Sequence, residues 1–305
     1  MTKIIGFRLI GIVLIACALL VNSASAQFYY DMDLSKINTD HLRTWIELPK
    51  TEFKDCEQIW LYLFIVNEGS DSVILPRIDE QTTTLFDVNL LDSSRSRLPY
   101  TGLRSDMVPP YPKSLLLPRD TVVFYLNVIE GYGVGGWLTR LPRYVPTGRY
   151  EVSGTLLGRI NTNQLSFSIV PLTVAEEKVV AEYYTIFKGR QNDRDAARDC
   201  AAILDANPDN PLACRICDFI LMMLGRGREK QESVEKYMMY YLDRCPDCGP
   251  TGYLFSYFMH KKSDKELLRL FGEGKSFKES KYAAFSFWRA AKESGKTKLF
   301  QEAGR

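Results

Sequence analysis

Histidine is nearly missing from this chain: among 305 residues only His41 and His260 are histidines. Two imidazoles so far apart exclude a His-based zinc site, a His-Glu-x-x-His protease helix and a Cys-x-x-Cys-His haem attachment. No Gly-x-Ser-x-Gly run supplies a nucleophile elbow. An excess of one charge is also missing. The formal net charge is +2, so nothing in the overall balance favours nucleic acid or an anionic membrane as partner. Beyond residue 26 no apolar run reaches the about 20 residues that a bilayer span takes. Charged residues at 25% and hydrophobic ones at 46% are ordinary globular proportions, which excludes wholesale disorder.

The amino terminus does hold one apolar run. Lys3 and Arg8 flank its start, Leu9 to Val21 form it, and small residues follow at Ala24 and Ala26. This is the layout of a secretory signal peptide with an Ala-x-Ala cleavage pattern, so residues 1–26 are expected to be removed after Ala26 and the protein to be exported. "LIAC" at Leu14 to Cys17 resembles the lipobox of bacterial lipoproteins, which would make Cys17 a lipid anchor. The apolar run continues past Cys17, where a lipoprotein turns polar, and this favours cleavage after Ala26. The mature chain would then be periplasmic, on the cell surface or secreted. Its 279 residues suffice for two domains, each with its own core.

After an extension at residues 27–40, residues 41–174 carry the pattern of strands: short runs rich in β-branched and aromatic residues between turn clusters. "IWLYLFIVN", "TLFDVNLLD", "DTVVFYLNVIE" and the hairpin "GRYEVSGTLLG" to "LSFSIVPLTV" are the clearest. Frequent prolines exclude long helices here. Strands at this spacing predict an antiparallel sandwich. "LLLPRDTVVFYL" and "VPTGRYEVSGTLLG" resemble strands of bacterial immunoglobulin-like domains, with Arg119 where glycine is usual. That resemblance implies a binding or spacer module and a tyrosine-corner role for Tyr150.

From residue 175 to 305 the pattern changes to amphipathic stretches with apolar residues three and four apart, which predicts helices throughout. The stretch also repeats. "ILDANPDNP" aligns with "YLDRCPDCGP", placing Pro208 and Pro246 38 residues apart with a helix pair between. Such a period, with Phe187, Ala196 and Pro208 in register, resembles tetratricopeptide repeats. The expected fold class is therefore multidomain: an all-β, antiparallel immunoglobulin-like sandwich followed by an all-α, tetratricopeptide-like repeat domain. Stacked helical hairpins offer a concave surface to a protein or peptide partner.

Apart from Cys17, six cysteines are present, and Cys200, Cys214, Cys217, Cys245 and Cys248 fall within one short stretch. An even count in an exported chain points to disulfides. If the helices either side of Pro208 run antiparallel, Cys200 and Cys217 come opposite each other. Cys214, one turn from Cys217, lies near the returning "CPDC" turn and so near Cys245 or Cys248. Cys56 has no evident partner in its own domain and would stay unbonded or bridge the domains. Zinc is the rival, but 27 residues separate the two Cys-x2-Cys pairs, more than the usual arrangement, and one pair is helical. A catalytic dithiol would need a preceding strand in a βαβ setting, which is lacking.

Other motifs fail on context. "GYGVGG" is followed by prolines rather than a helix, so no helix N-terminus awaits a pyrophosphate. "GEGKS" lacks the leading glycine of a phosphate loop, and "DANPD" lacks the glycine and glutamate of a calcium loop. Tyr111, Trp137 and Tyr144 sit beside Pro and Gly in segments that could anchor a partner. The expectation is a non-catalytic exported binding or assembly module with no metal and no cofactor. Two alternatives are a thiol- or metal-dependent envelope enzyme built on the Cys200–Cys248 cluster, and a carbohydrate-binding sandwich using Trp137 and Tyr111.

Overall fold

The structure is a computed structural model, and it describes residues 36–76, 78, 85–101, 113–132, 145–187, 193–225, 231–249, 259–273 and 280–296. Cys17, the segment 1–26, Tyr111, Trp137 and Tyr144 lie outside the described residues. The strands are β1 (Leu42–Glu47), β2 (Glu52–Lys54), β3 (Trp60–Asn67), β4 (Val73–Pro76), β5 (Phe86–Leu91), β6 (Lys113–Leu116), β7 (Thr121–Asn127), β8 (Gly148–Leu156), β9 (Ile160–Asn161) and β10 (Leu165–Val170). A five-residue helix α1 (Val128–Tyr132) follows β7 directly. Then come α2 (Val174–Phe187), α3 (Asp193–Ala206), α4 (Ala213–Gly225), α5 (Gln231–Arg244), α6 (Asp264–Glu273) and α7 (Lys281–Glu293).

The strands form three small sheets, ordered β1-β3-β7, β2-β10-β8-β5 with β9 beside β8, and β4-β6. Pairing is antiparallel except between β2 and β10, which run parallel. Alternation explains β8, whose Tyr150, Val152 and Leu156 are buried while Glu151 and Ser153 are only partly so. Gly154 is placed where a Cβ would meet the Phe86 ring at 2.2 Å, so the inward ring of β5 fills the space a side chain would take.

The fold class read from the sequence is corrected here. An all-β sandwich followed by a separate all-α domain would leave the outer sheet face to solvent. Instead β3 is buried on both faces. Its Leu61, Leu63 and Ile65 enter the core shared with the five-stranded sheet, while Trp60, Tyr62 and Phe64 form an aromatic cluster with Tyr282 of α7 and Cys248. Cys56, in the loop after β2, joins the helical core, its sulfur 3.7 Å from the Tyr184 hydroxyl of α2. The result is a mixed α/β architecture in which helices cover one sheet, with a parallel strand pair and a short helix inside the strand-rich part.

Helix starts are set by side-chain caps. Thr173 and Glu176 bond reciprocally at the start of α2, as do Ser263 and Glu266 at α6. Asn210 accepts from the Leu212 amide before α4, and Ser280 Oγ accepts from the Ala283 amide at α7. The repeated turns share one backbone pattern. Asn207 N donates to Ile203 O and Asn210 N to Asn207 O; 38 residues later Cys245 N donates to Tyr241 O and Cys248 N to Cys245 O.

Candidate functional site

The second of these turns, Cys245 to Gly249, is where sheet and helices meet. From the sheet, the Tyr62 hydroxyl donates to Asp247 O at 2.6 Å. From the last helix, the Ser280 hydroxyl donates to the Asp247 carboxylate and also approaches Pro246 O at 3.4 Å. Tyr282 stacks on Tyr62 with ring centroids 3.9 Å apart. Its hydroxyl and the Lys281 ammonium both reach the Glu47 carboxylate of β1. Gly249 closes the turn against the sheet: a Cβ there would stand 2.4 Å from Tyr125 and 2.6 Å from Trp60.

Sulfur chemistry is concentrated at this junction. Cys214, in the first turn of α4, is disulfide-bonded to Cys245, with Cα atoms 5.7 Å apart. Cys248 is not in a disulfide, yet its sulfur and those of Cys214 and Cys245 all lie within 4.8 Å of one another. Cys245 is 2% exposed and Cys214 is half-buried. The trio is the group among the described residues with the spacing to hold a thiophilic ion, and two of its sulfurs are engaged by the disulfide.

Burial pushes the Cys248 thiol up to about 12; the Tyr241 hydroxyl opposes this, and Asp218, Glu57 and Asp247 add to it. Burial likewise pushes Cys56 up to about 11, with Asp55 adding to the effect. Cys217 is also raised, chiefly by burial, and its sulfur donates to Tyr237 O at 3.2 Å. Cys200 and Cys217, placed opposite each other by the hairpin argument, are both fully buried and neither is disulfide-bonded here. Cys217 is turned toward α5.

Two surface features went unremarked in the sequence. A groove of about 580 Å³ runs beside β8 and β10, lined by Asp92, Arg95, Arg149, Glu151 and Ser166 among others, with charges of both signs. Tyr150, which also lines it, donates to Pro146 O at 2.6 Å. On the small β4-β6 sheet, Ile74 and Leu115 are paired across the strands and are 48% and 59% exposed. Leu117, just past β6, is 44% exposed, while Leu75 and Leu116 are buried. Consecutive apolar letters in "VILP" and "KSLLLP" were the signal, since a strand with one wet face would alternate.

Among the described residues no helix is long and apolar enough to cross a membrane. No protein-family model and no curated protein matches the chain. Solved structures give faint likenesses. A β-glucosidase from Erythrobacter marinus is 13% identical with a TM-score of 0.27, over 42% of this chain and 15% of that one. Beta-D-glucoside glucohydrolase from Trichoderma reesei is 14% identical with a TM-score of 0.25, over 42% and 18%. The alpha-2-macroglobulin of E. coli is 9% identical with a TM-score of 0.22, over 86% and 22%. The chain spans less than a quarter of the length of each of these proteins, and likeness at this level carries no argument about fold or activity.

Proposed function

We propose that the chain is an exported, non-catalytic binding or assembly module of the cell envelope that docks a partner protein on the outward face of β4-β6. The observation that carries this reading is the row Ile74, Leu115 and Leu117. Ile74 and Leu115, paired across this ribbon, and Leu117 just past its end are large apolar side chains about half exposed, and clustered exposed apolar groups mark interaction surfaces. Covering what remains exposed would contribute about 1 kcal/mol per side chain, about half of full burial. The occupant is the apolar face of another protein, because the row supplies no polar group of its own to orient a small ligand.

The test places a photo-crosslinking residue at Leu115 in the full-length chain and, as a control, at the exposed Glu177 of α2. A single adduct of defined mass from position 115, absent from position 177 and lost when Ile74→Lys is added, supports the reading. Equal adduct patterns at the two positions, or survival of the adduct in Ile74→Lys, overturns it. An adduct of twice the chain mass would assign the face to a second copy of this chain instead.

A further inference from the structure

We propose that Cys214, Cys245 and Cys248 form a thiol–disulfide exchange site in which Cys245 pairs alternately with Cys214 or Cys248, and Cys214 is the thiol offered to an external disulfide. The three sulfurs lie within 4.8 Å of one another, so Cys248 is a third sulfur poised on an existing bond. The alternative partner is sterically available. Cys245 and Cys248 bracket a turn closed by the Cys248 N to Cys245 O bond at 3.0 Å. Ends of such a turn are under about 7 Å apart at Cα, which overlaps the span a disulfide bridges.

The internal exchange needs no oxidant, and the external disulfide is the oxidant of the step that follows. Cys248 gives its proton to solvent, and its sulfur forms a bond to the Cys245 sulfur. The Cys214–Cys245 bond breaks, and its electron pair stays on Cys214, which can take a proton from solvent. As a thiolate, Cys214 then attacks a sulfur of the external disulfide, forming a mixed disulfide and releasing the other half as a thiolate. Position favours this order. Cys214 is in the first turn of a 13-residue helix, whose N-terminal dipole stabilises negative charge on the departing sulfur. It is also half-buried, whereas Cys245 is enclosed, so it is the sulfur of the bonded pair that faces outward.

Cys248 keeps the site slow at neutral pH. The charged groups that act on it are Asp218 from α4, Glu57 from the loop before β3 and Asp247 of its own turn, all acidic, and the Tyr241 hydroxyl of α5 acts in the opposite sense. Thiolate at Cys248 is thus scarce, and exchange should quicken about tenfold per pH unit from about pH 7 to 10.

The experiment incubates the full chain with glutathione disulfide, quenches with acid, alkylates and maps the products by mass spectrometry. Wild type should carry glutathione on Cys214 together with a Cys245–Cys248 bond. Cys248→Ser should keep Cys214–Cys245 and take up at least tenfold less glutathione. Cys214→Ser, with Cys245 and Cys248 both thiols, should be oxidised by the glutathione disulfide to a Cys245–Cys248 bond with release of two glutathione thiols, and retain no bound glutathione. Glutathione on Cys248 with Cys214–Cys245 intact, or uptake in Cys248→Ser equal to wild type, overturns the proposal. If either variant fails to fold, the wild-type rate decides: a flat pH profile between about 7 and 10 overturns it, and a tenfold rise per unit supports it.

Discussion

Replacing Gly249 with alanine tests whether the cystine-bearing turn is seated against the sheet by close packing. The added Cβ would stand 2.4 Å from Tyr125 Cδ2 and 2.6 Å from Trp60 Cε3 and Cζ3. Carbon atoms rest about 3.5 to 4.0 Å apart, so the turn or the rings must move by roughly 1 Å. The rings have little freedom to do so. Trp60 is 7% exposed, and it meets Tyr125 edge-on at 5.8 Å. Overpacking of this kind costs about 1 to 3 kcal/mol, and two rigid aromatics place it in the upper part of that range. Stiffening the unfolded chain returns about 0.4 to 1 kcal/mol, leaving a net loss of roughly 2 kcal/mol. Thermal unfolding followed by circular dichroism should then show a midpoint roughly 4 to 8 °C lower. Native alkylation of Cys248 should rise in parallel, because the turn that buries it has been pushed off the sheet. Gly154→Ala is the control: it meets Phe86 at 2.2 Å in the other sheet and should lose stability while Cys248 stays protected. A Gly249→Ala protein as stable as wild type would refute the packing argument.

Two further predictions concern the same junction. Reducing the Cys214–Cys245 bond, which joins residues 31 apart, should lower stability by about 3.7 kcal/mol on the loop-closure relation, read as the difference in urea unfolding with and without a dithiol. Acid should loosen the last helix through Glu47. Burial alone would raise its carboxyl, but hydrogen bonds from Lys281, Trp45 and Tyr282 outweigh burial and hold it below its ordinary value. Because the folded value is the lower one, the stabilisation is present above the unfolded value of about 4.3 and is lost as pH falls through the folded one. Glu47→Gln should therefore flatten the acid limb of a stability–pH curve below about pH 5, and an unchanged limb would remove Glu47 from the account.

How much of this was legible in the sequence can be argued from a few residues. The strands that alternate, such as β8, and the amphipathic helices could be read because their periods are local. The Cys245 turn was also legible as the partner of the Asn207 turn, since both close with the same backbone bonds. What sequence pattern could not supply was the neighbour of each face. "WLYLFIVN" has no polar alternation, and that run is what burial on both faces produces, yet nothing within it names helix α7 as the cover. Helix α4 likewise buries two sides. Opposing Cys200 to Cys217 used only the α3 side, whereas the Cys217 sulfur faces Tyr237 of α5. The placement of Cys56 among the helices has no local signal at all, because it is set by β2 adding in parallel to β10. The mixed architecture follows from these non-local contacts. A sheet face bearing Trp60, Tyr62 and Phe64 would be unfavourable in water, and the aromatic surface that needed covering is where the helical part and its sulfur cluster came to rest.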